Sequence, residues 1–154
     1  MGDAILIPEV RAMRKADELA VMQIEQDAFG EFAWKRFANL LNHQKQAFVV
    51  VGEGQVPIAY ALLKHDKNPK TINIEKMGVA AGQEGKGVGS LILRWIIVRA
   101  RLLAVERIAL HVRGSNTRAI CLYCRTGFKE VGRESNGYKG KGADRVKIAM
   151  ELEC

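Results

Sequence analysis

Gly85-Lys86-Gly87-Val88-Gly89 stands between a strand-like stretch and a long apolar one. Glycines permit positive φ angles and let backbone N–H groups come close to a ligand. At the start of a helix those N–H groups and the helix dipole form a site for phosphate. Gly85, Lys86, Gly87, Val88, Gly89 and Ser90 are therefore candidate anion ligands; the ordinary alternative for such a cluster is a flexible turn. Two other phosphate motifs fail on spacing. There is no G-x-x-x-x-G-K-[ST], and a dinucleotide fingerprint would want glycine or alanine at Ser90 inside an early βαβ unit.

A second group lies further on, in Val112-Arg113-Gly114-Ser115-Asn116-Thr117-Arg118-Ala119-Ile120-Cys121-Leu122-Tyr123 followed by Gly127-Phe128. A tyrosine on an amphipathic helix ordinarily packs in a core, and its phenol is otherwise a proton donor. His111 sits alone on a strand, where histidine is usually structural; near neutral pH it can also accept a proton. Glu75, on the strand before the glycine loop, could activate a water for the same purpose. Cys121 and Cys124 form a C-x-x-C at helical spacing, which could be a redox pair or half a zinc site. No second ligand pair accompanies them, because His43, His65 and His111 are scattered, so no metal site is expected.

These residues need elements to hold them. The pattern predicts a short strand over 4–8, a helix over 14–29 with Leu19, Met22 and Ile24 on its apolar side, and a second helix over 33–42. Strands follow over 46–52 and 56–65, joined by the Glu53-Gly54-Gln55 turn, and a third over 71–79 after a turn at 67–70. The loop 82–89 leads into a helix over 90–105, apolar around most of its circumference and so expected to be largely buried. A strand over 107–113, a helix over 117–125 capped by Gly127, and strands over 128–133 and 146–151 around the basic loop 139–141 complete the chain. The order β, α, α, β, β, β, α, β, α, β, β predicts a mixed sheet with helices on its faces.

Length and charge set the outer bounds. The chain has 154 residues, enough for one domain with its own core, and a single domain over 1–154 is expected. Hydrophobic residues make up 48% and charged residues 27%, the balance of a globular protein. The stretch 91–105 is broken by Arg94, Arg99 and Arg101, which excludes a membrane span there, and residues 1–4 lack the basic start of a secretory signal. Three cysteines fit a reducing cytoplasm. The net charge of +7 lies wholly after Met77: residues 1–77 carry ten Lys/Arg and ten Asp/Glu, residues 78–154 fourteen and seven. Such a field attracts a polyanion, whether nucleic acid or a phosphate-rich cofactor, or simply keeps the surface solvated.

Strand, G-x-G-x-G loop, long helix, strand and S-N-x-x-A-x-x-L-Y-x-x-x-G-F together resemble the GNAT superfamily of acetyl-CoA-dependent N-acetyltransferases. Val79, the glycine loop and Leu91-Ile92-Leu93 resemble its motif A, and residues 116–128 its motif B. Within the superfamily, Leu110-His111-Val112-Arg113-Gly114-Ser115-Asn116 and Phe128-Lys129-Glu130-Val131-Gly132 are most similar to the ribosomal-protein alanine N-acetyltransferases.

The resemblance implies an α/β (α+β mixed) fold with a mostly antiparallel sheet of six to seven strands flanked by helices. It implies acetyl-CoA as cosubstrate, its pyrophosphate on residues 85–90 and its pantetheine arm along Met77, Gly78 and Val79, with Asn116 bonding the same arm. A bulge near Gly78 would splay that strand from the one at 108–112, although a plain strand glycine serves the residue equally well. Tyr123 matches the family tyrosine that protonates the departing thiolate. His111 replaces the glutamate that the alanine acetyltransferases carry, leaving His111, Glu75 or an already neutral α-amine as routes to the nucleophile. Glu84 is a further departure, a carboxylate where the family has Gln or Arg.

By the same resemblance the acceptor surface comes from residues 26–34 and 137–142. Glu25, Asp27 and Glu31 could attract an amine or a basic peptide while Phe29, Phe32 and Trp34 wall the groove; equally, the carboxylates are simply solvated and the aromatics belong to the core. The acceptor implied is a protein or peptide N-terminus, that of a ribosomal protein included, with a small amine or antibiotic as the alternative. A noncatalytic acetyl-CoA-binding module and a basic RNA-associated module are the rival classes. No direct nucleic-acid partner and no membrane partner are expected.

Overall fold

A computed structural model of the chain describes residues 8–29, 45–67 and 70–154. The strand expected over 4–8 and the helix expected over 33–42 fall outside them, apart from Pro8. The described strands are β1 (Glu9–Ala12), β2 (Lys45–Val51), β3 (Pro57–Lys67), β4 (Lys70–Val79), β5 (Arg107–Arg113), β6 (Lys129–Glu134) and β7 (Lys147–Glu153). The described helices are α1 (Glu18–Phe29), α2 (Val88–Leu102) and α3 (Thr117–Thr126). The sheet runs β1-β2-β3-β4-β5-β7-β6, a mixed α/β arrangement that is mostly antiparallel. None of the described helices is long and apolar enough to cross a membrane.

The chain forms two compact units, one of residues 1–63 with 76–95 and one of residues 64–75 with 96–154. In the first, β1 pairs antiparallel with β2 from Glu9↔Val51 to Ala12↔Phe48. Val21 and Ile24 of α1 pack on Ala47, Val49 and Val51 of β2 and on Tyr60 and Leu62 of β3. Leu19, expected on the apolar side of this helix, is 79% exposed, because the buried side passes through Val21 and Ile24 instead. The turn from β2 to β3 falls at Glu53-Gly54-Gln55, as the sequence predicts, with Gly54 at a φ of +69° and Gln55 at +60°. Before α1, Asp17 is buried and accepts from Nη1 and Nη2 of the Arg11 guanidinium at 2.7 and 2.9 Å.

In the second unit β4 runs parallel to β5, from Thr71↔Arg107 to Ile74↔Leu110. β5 pairs antiparallel with β7 along its whole length, and β7 with β6. The last pairing shifts register between Glu130 and Gly132, leaving Val131 as the extra residue and more than half exposed. Ile72, Ile108, Leu110, Val112, Ile148 and Met150 supply the buried positions of these strands.

Helix α2 begins two residues earlier than the sequence pattern predicts and ends three earlier. Its end follows from Ala104, held at a φ of +55°, while the Val105 N–H reaches back to the Ala100 carbonyl. The helix buries Val88, Ile92, Ile96 and Ala100 at spacings of four, with Leu93 and Ile97 beside them. Arg94, Val98, Arg101 and Leu102 face solvent, so the helix is buried along one stripe rather than around most of its circumference.

Candidate active site

The glycine loop has the conformation its composition demands. Gly82, Gly85 and Gly87 have φ values of +85°, +75° and +81°, which side-chain-bearing residues rarely adopt. A Cβ at any of the three would meet no atom within 4 Å. These glycines are thus required by backbone shape, and the space above them is open. Val88 and Gly89 belong to α2 rather than to the loop, and the Leu91 N–H closes the first turn on the Gly87 carbonyl at 3.0 Å. The first-turn N–H groups, including those of Val88, Gly89 and Ser90, have no acceptor within the helix. Beside open backbone they suit a phosphate. Lys86 and Glu84 are both exposed in the turn that precedes them.

Met77, Gly78 and Val79 close β4 in the same unit. β4 runs without interruption through Gly78, which is a buried strand glycine. The reason for glycine is packing: a Cβ there would lie 2.8 Å from Cε1 of Tyr60 and 3.2 Å from Ile24. Next to it, Lys76 forms an ion pair with Glu25 of α1. Glu25 is only 3% exposed, so it is committed to β4 and is not the exposed acceptor-attracting carboxylate that its sequence position implied. Tyr60 is itself fully buried, and that desolvation first and the Glu25 charge second raise the pKa of its phenol. Asp27 is exposed and accepts from Gln23 at 2.9 Å. Glu31, Phe32 and Trp34 lie outside the described residues.

The second unit holds the remaining candidates. The β4–β5 ladder ends at Ile74↔Leu110, and Glu75 and His111 are the next residues of the two strands. Both are exposed. Partial burial lowers the His111 pKa below its ordinary value of 6.5, and Lys147 lowers it further, while Glu134 and Glu75 oppose the shift. An imidazole so placed is mostly neutral at pH 7 and able to accept a proton. Lys147 was not singled out from sequence; its signal is the strand period, since β7 sets Ala149 against His111 and Lys147 against Arg113.

Asn116 has a structural task that its motif alone did not reveal. It is the N-cap of α3, its side-chain oxygen accepting from the Ala119 N–H at 3.3 Å. Its amide nitrogen makes no hydrogen bond among the described residues. Gly127 closes the helix at a φ of +111°, as the sequence predicts. Phe128 then turns back, its N–H bonding the Tyr123 carbonyl and its ring 5.7 Å from the Tyr123 ring. Tyr123 is 7% exposed, and burial pushes its phenol up to about 12, so it carries its proton throughout the neutral range. Cys121 and Cys124 are exposed thiols, and no cluster of three metal-ligating side chains occurs among the described residues.

Comparison with known proteins bears on both halves. The sequence profile of the family described as the Acetyltransferase (GNAT) family matches residues 11–128. An N-alpha-acetyltransferase RimI from Mycobacterium tuberculosis is 28% identical over 144 residues, covering 88% of this chain and 87% of that protein. A streptothricin acetyltransferase from Streptomyces lavendulae is 30% identical over 110 residues, 71% of this chain and 58% of the relative. The chain spans as little as 27% of other curated relatives that it matches. Among solved structures, the ribosomal-protein-S18-alanine N-acetyltransferase from Escherichia coli superposes with a TM-score of 0.84 at 25% identity, over 96% of this chain and 94% of that one.

Proposed function

This chain belongs to the acetyltransferase (GNAT) family, and on that premise we propose that it is a cytoplasmic N-acetyltransferase acting on the N-terminal amine of a protein or peptide, with residues 1–154 forming one catalytic domain. The observation that carries the reading is the open glycine loop at the start of α2, with three positive-φ glycines and first-turn N–H groups suited to a pyrophosphate. Similarity to the RimI relative across nearly all of both chains supports the N-terminal acceptor. The streptothricin relative favours a second reading, a small antibiotic amine as acceptor.

Acetyl-CoA supplies an acyl group on a thioester. Residues 85–90 hold its pyrophosphate, and the backbone of Met77, Gly78 and Val79 takes the pantetheine arm as an added strand. The amide nitrogen of Asn116 is the group on that residue still able to donate to the same arm. His111, neutral at pH 7, removes the amine proton, and Glu75 tunes it from the neighbouring strand. The amine nitrogen bonds the acetyl carbon, the carbon–sulfur bond breaks, and Tyr123 gives its proton to the sulfur. No step requires a metal ligand from this chain.

Thermal unfolding with acetyl-CoA, CoA and ATP tests the cosubstrate assignment. A ligand at a hundred times its dissociation constant adds about 2.7 kcal/mol. A shift with both CoA forms and none with ATP is expected; no shift with either CoA form would contradict the assignment of residues 85–90.

A further inference from the structure

The segment between β6 and β7 is a shaped, strongly basic surface. Arg113, the last residue of β5, anchors it: its guanidinium donates to the Lys139 carbonyl at 3.1 Å and the Asp144 carbonyl at 2.9 Å, and lies 4.3 Å from the Tyr138 ring centroid. The Tyr138 N–H bonds the Arg145 carbonyl at 3.1 Å, so the segment folds back on itself. Gly137 admits no side chain, since a Cβ there would lie 2.2 Å from Cβ of Lys147. These bonds and this close packing therefore fix the backbone from which its charged side chains project.

Those charges have little to neutralise them. Residues 133–147 hold five Lys/Arg against Glu134 and Asp144. Arg133 is paired with Glu130 at 2.6 Å. Lys139, Lys141 and Arg145 are exposed and have no ion-pair partner among the described residues. The Arg113 charge is bonded to carbonyls, which leave it formally positive. This surface also adjoins the candidate base, for Lys147 lies beside Tyr138 and acts electrostatically on His111. Arg113, which holds the segment, stands two residues along β5 from His111.

We propose that the Lys139, Lys141 and Arg145 surface recognises carboxylates of the acceptor, so that the preferred substrate is a peptide with acidic residues close behind its N-terminal amine. The proposal rests on the reading of the chain as an N-terminal acetyltransferase for its orientation, and binding separates it from that reading. Fixed, unpaired cations at a rim favour an opposite charge in encounter and affinity, and do so less as salt rises.

The test uses C-terminally labelled peptides with a free N-terminus, three Glu after the first residue in one and three Gln in its match. Fluorescence anisotropy gives their affinities for the full chain saturated with CoA, and thiol release gives turnover with acetyl-CoA. The acidic peptide is expected to bind about tenfold more tightly at low salt, and the ratio to fall towards one at high salt. The variant Lys139→Gln/Lys141→Gln/Arg145→Gln is expected to lose that ratio. These side chains are exposed and unpaired; should the triple variant misfold, each single variant gives a partial loss.

Equal binding of the two peptides, or a ratio that the variants leave intact, overturns the proposal. So does tighter binding of an oligouridylate that displaces the acidic peptide, which would make the surface a nucleic-acid one. An acidic preference in binding without any thiol release upholds the recognition and contradicts the transferase reading instead.

Discussion

Glu75 and His111 are the first residues beyond the last rung of the parallel β4–β5 ladder, Ile74↔Leu110, and the Glu75 charge acts on the His111 imidazole. The two groups that the sequence offered as rival bases are thus one electrostatic unit. His111 is held below 6.5 by partial burial and then by Lys147, so kcat/KM should rise through an ionisation below that value. Lys147→Gln removes a cation and should move this limb to higher pH. Glu75→Gln removes an anion that favours the imidazolium and should move it lower. His111→Ala should abolish it. A limb centred near the α-amine value of about 8, and unmoved by Lys147→Gln, would assign the ionisation to the acceptor.

Tyr123 keeps its proton because burial pushes its phenol up to about 12, and its ring is held by Phe128. Tyr123→Phe preserves the ring contact. It should lower kcat by about a hundredfold, as for loss of a general acid, while stability changes by about 1 kcal/mol or less. Stopped-flow thiol release and denaturant unfolding of the same variant check the two halves. A large stability loss with normal turnover would make Tyr123 a core residue only.

Gly78 is required by Tyr60. Gly78→Ala should destabilise the fold by about 1–3 kcal/mol, because the new methyl meets a fixed ring and Ile24. Tyr60→Leu in the Gly78→Ala background should recover part of this loss, read as non-additivity in a double-mutant cycle of urea unfolding.

Asp17 couples stability to acid. Hydrogen bonds from Arg11 hold its carboxyl below the ordinary carboxylate range, helped by the Arg14 N–H and opposed by burial. Its folded pKa is depressed, so its contribution is full above the unfolded value of about 4 and is lost as pH falls through the folded one. Asp17→Asn leaves the Arg11 charge half-buried and unmatched. It should cost about 3 kcal/mol at pH 7, with a shallower decline below pH 4, followed by urea titrations across that range.

Local chemistry made much of this legible in the sequence. Gly54 and Gly127 announced a turn and a helix end through conformations that other residues avoid, and both stand there. The glycine loop was readable for the same reason. What the sequence left open depends on neighbours distant in the chain. Glu25 is an ordinary helical carboxylate until β4 sets Lys76 against it. The packing reason for a glycine at Gly78 is absent from the sequence until the Tyr60 ring is in place. Lys147 gains its influence on His111 only through the pairing of β5 with β7. Asn116 fits the motif by type, and its cap on α3 adds a structural reason for the same residue.

N-terminal transfer is tested most directly by mass spectrometry of peptides incubated with the protein and acetyl-CoA, comparing a free N-terminus with one already blocked. One acetyl group on the α-amine of the free peptide, one thiol released for each acetyl transferred, and no reaction with the blocked peptide are expected. Transfer to a streptothricin-type amine but to no peptide N-terminus, or CoA binding with no thiol release from any amine tried, would contradict it.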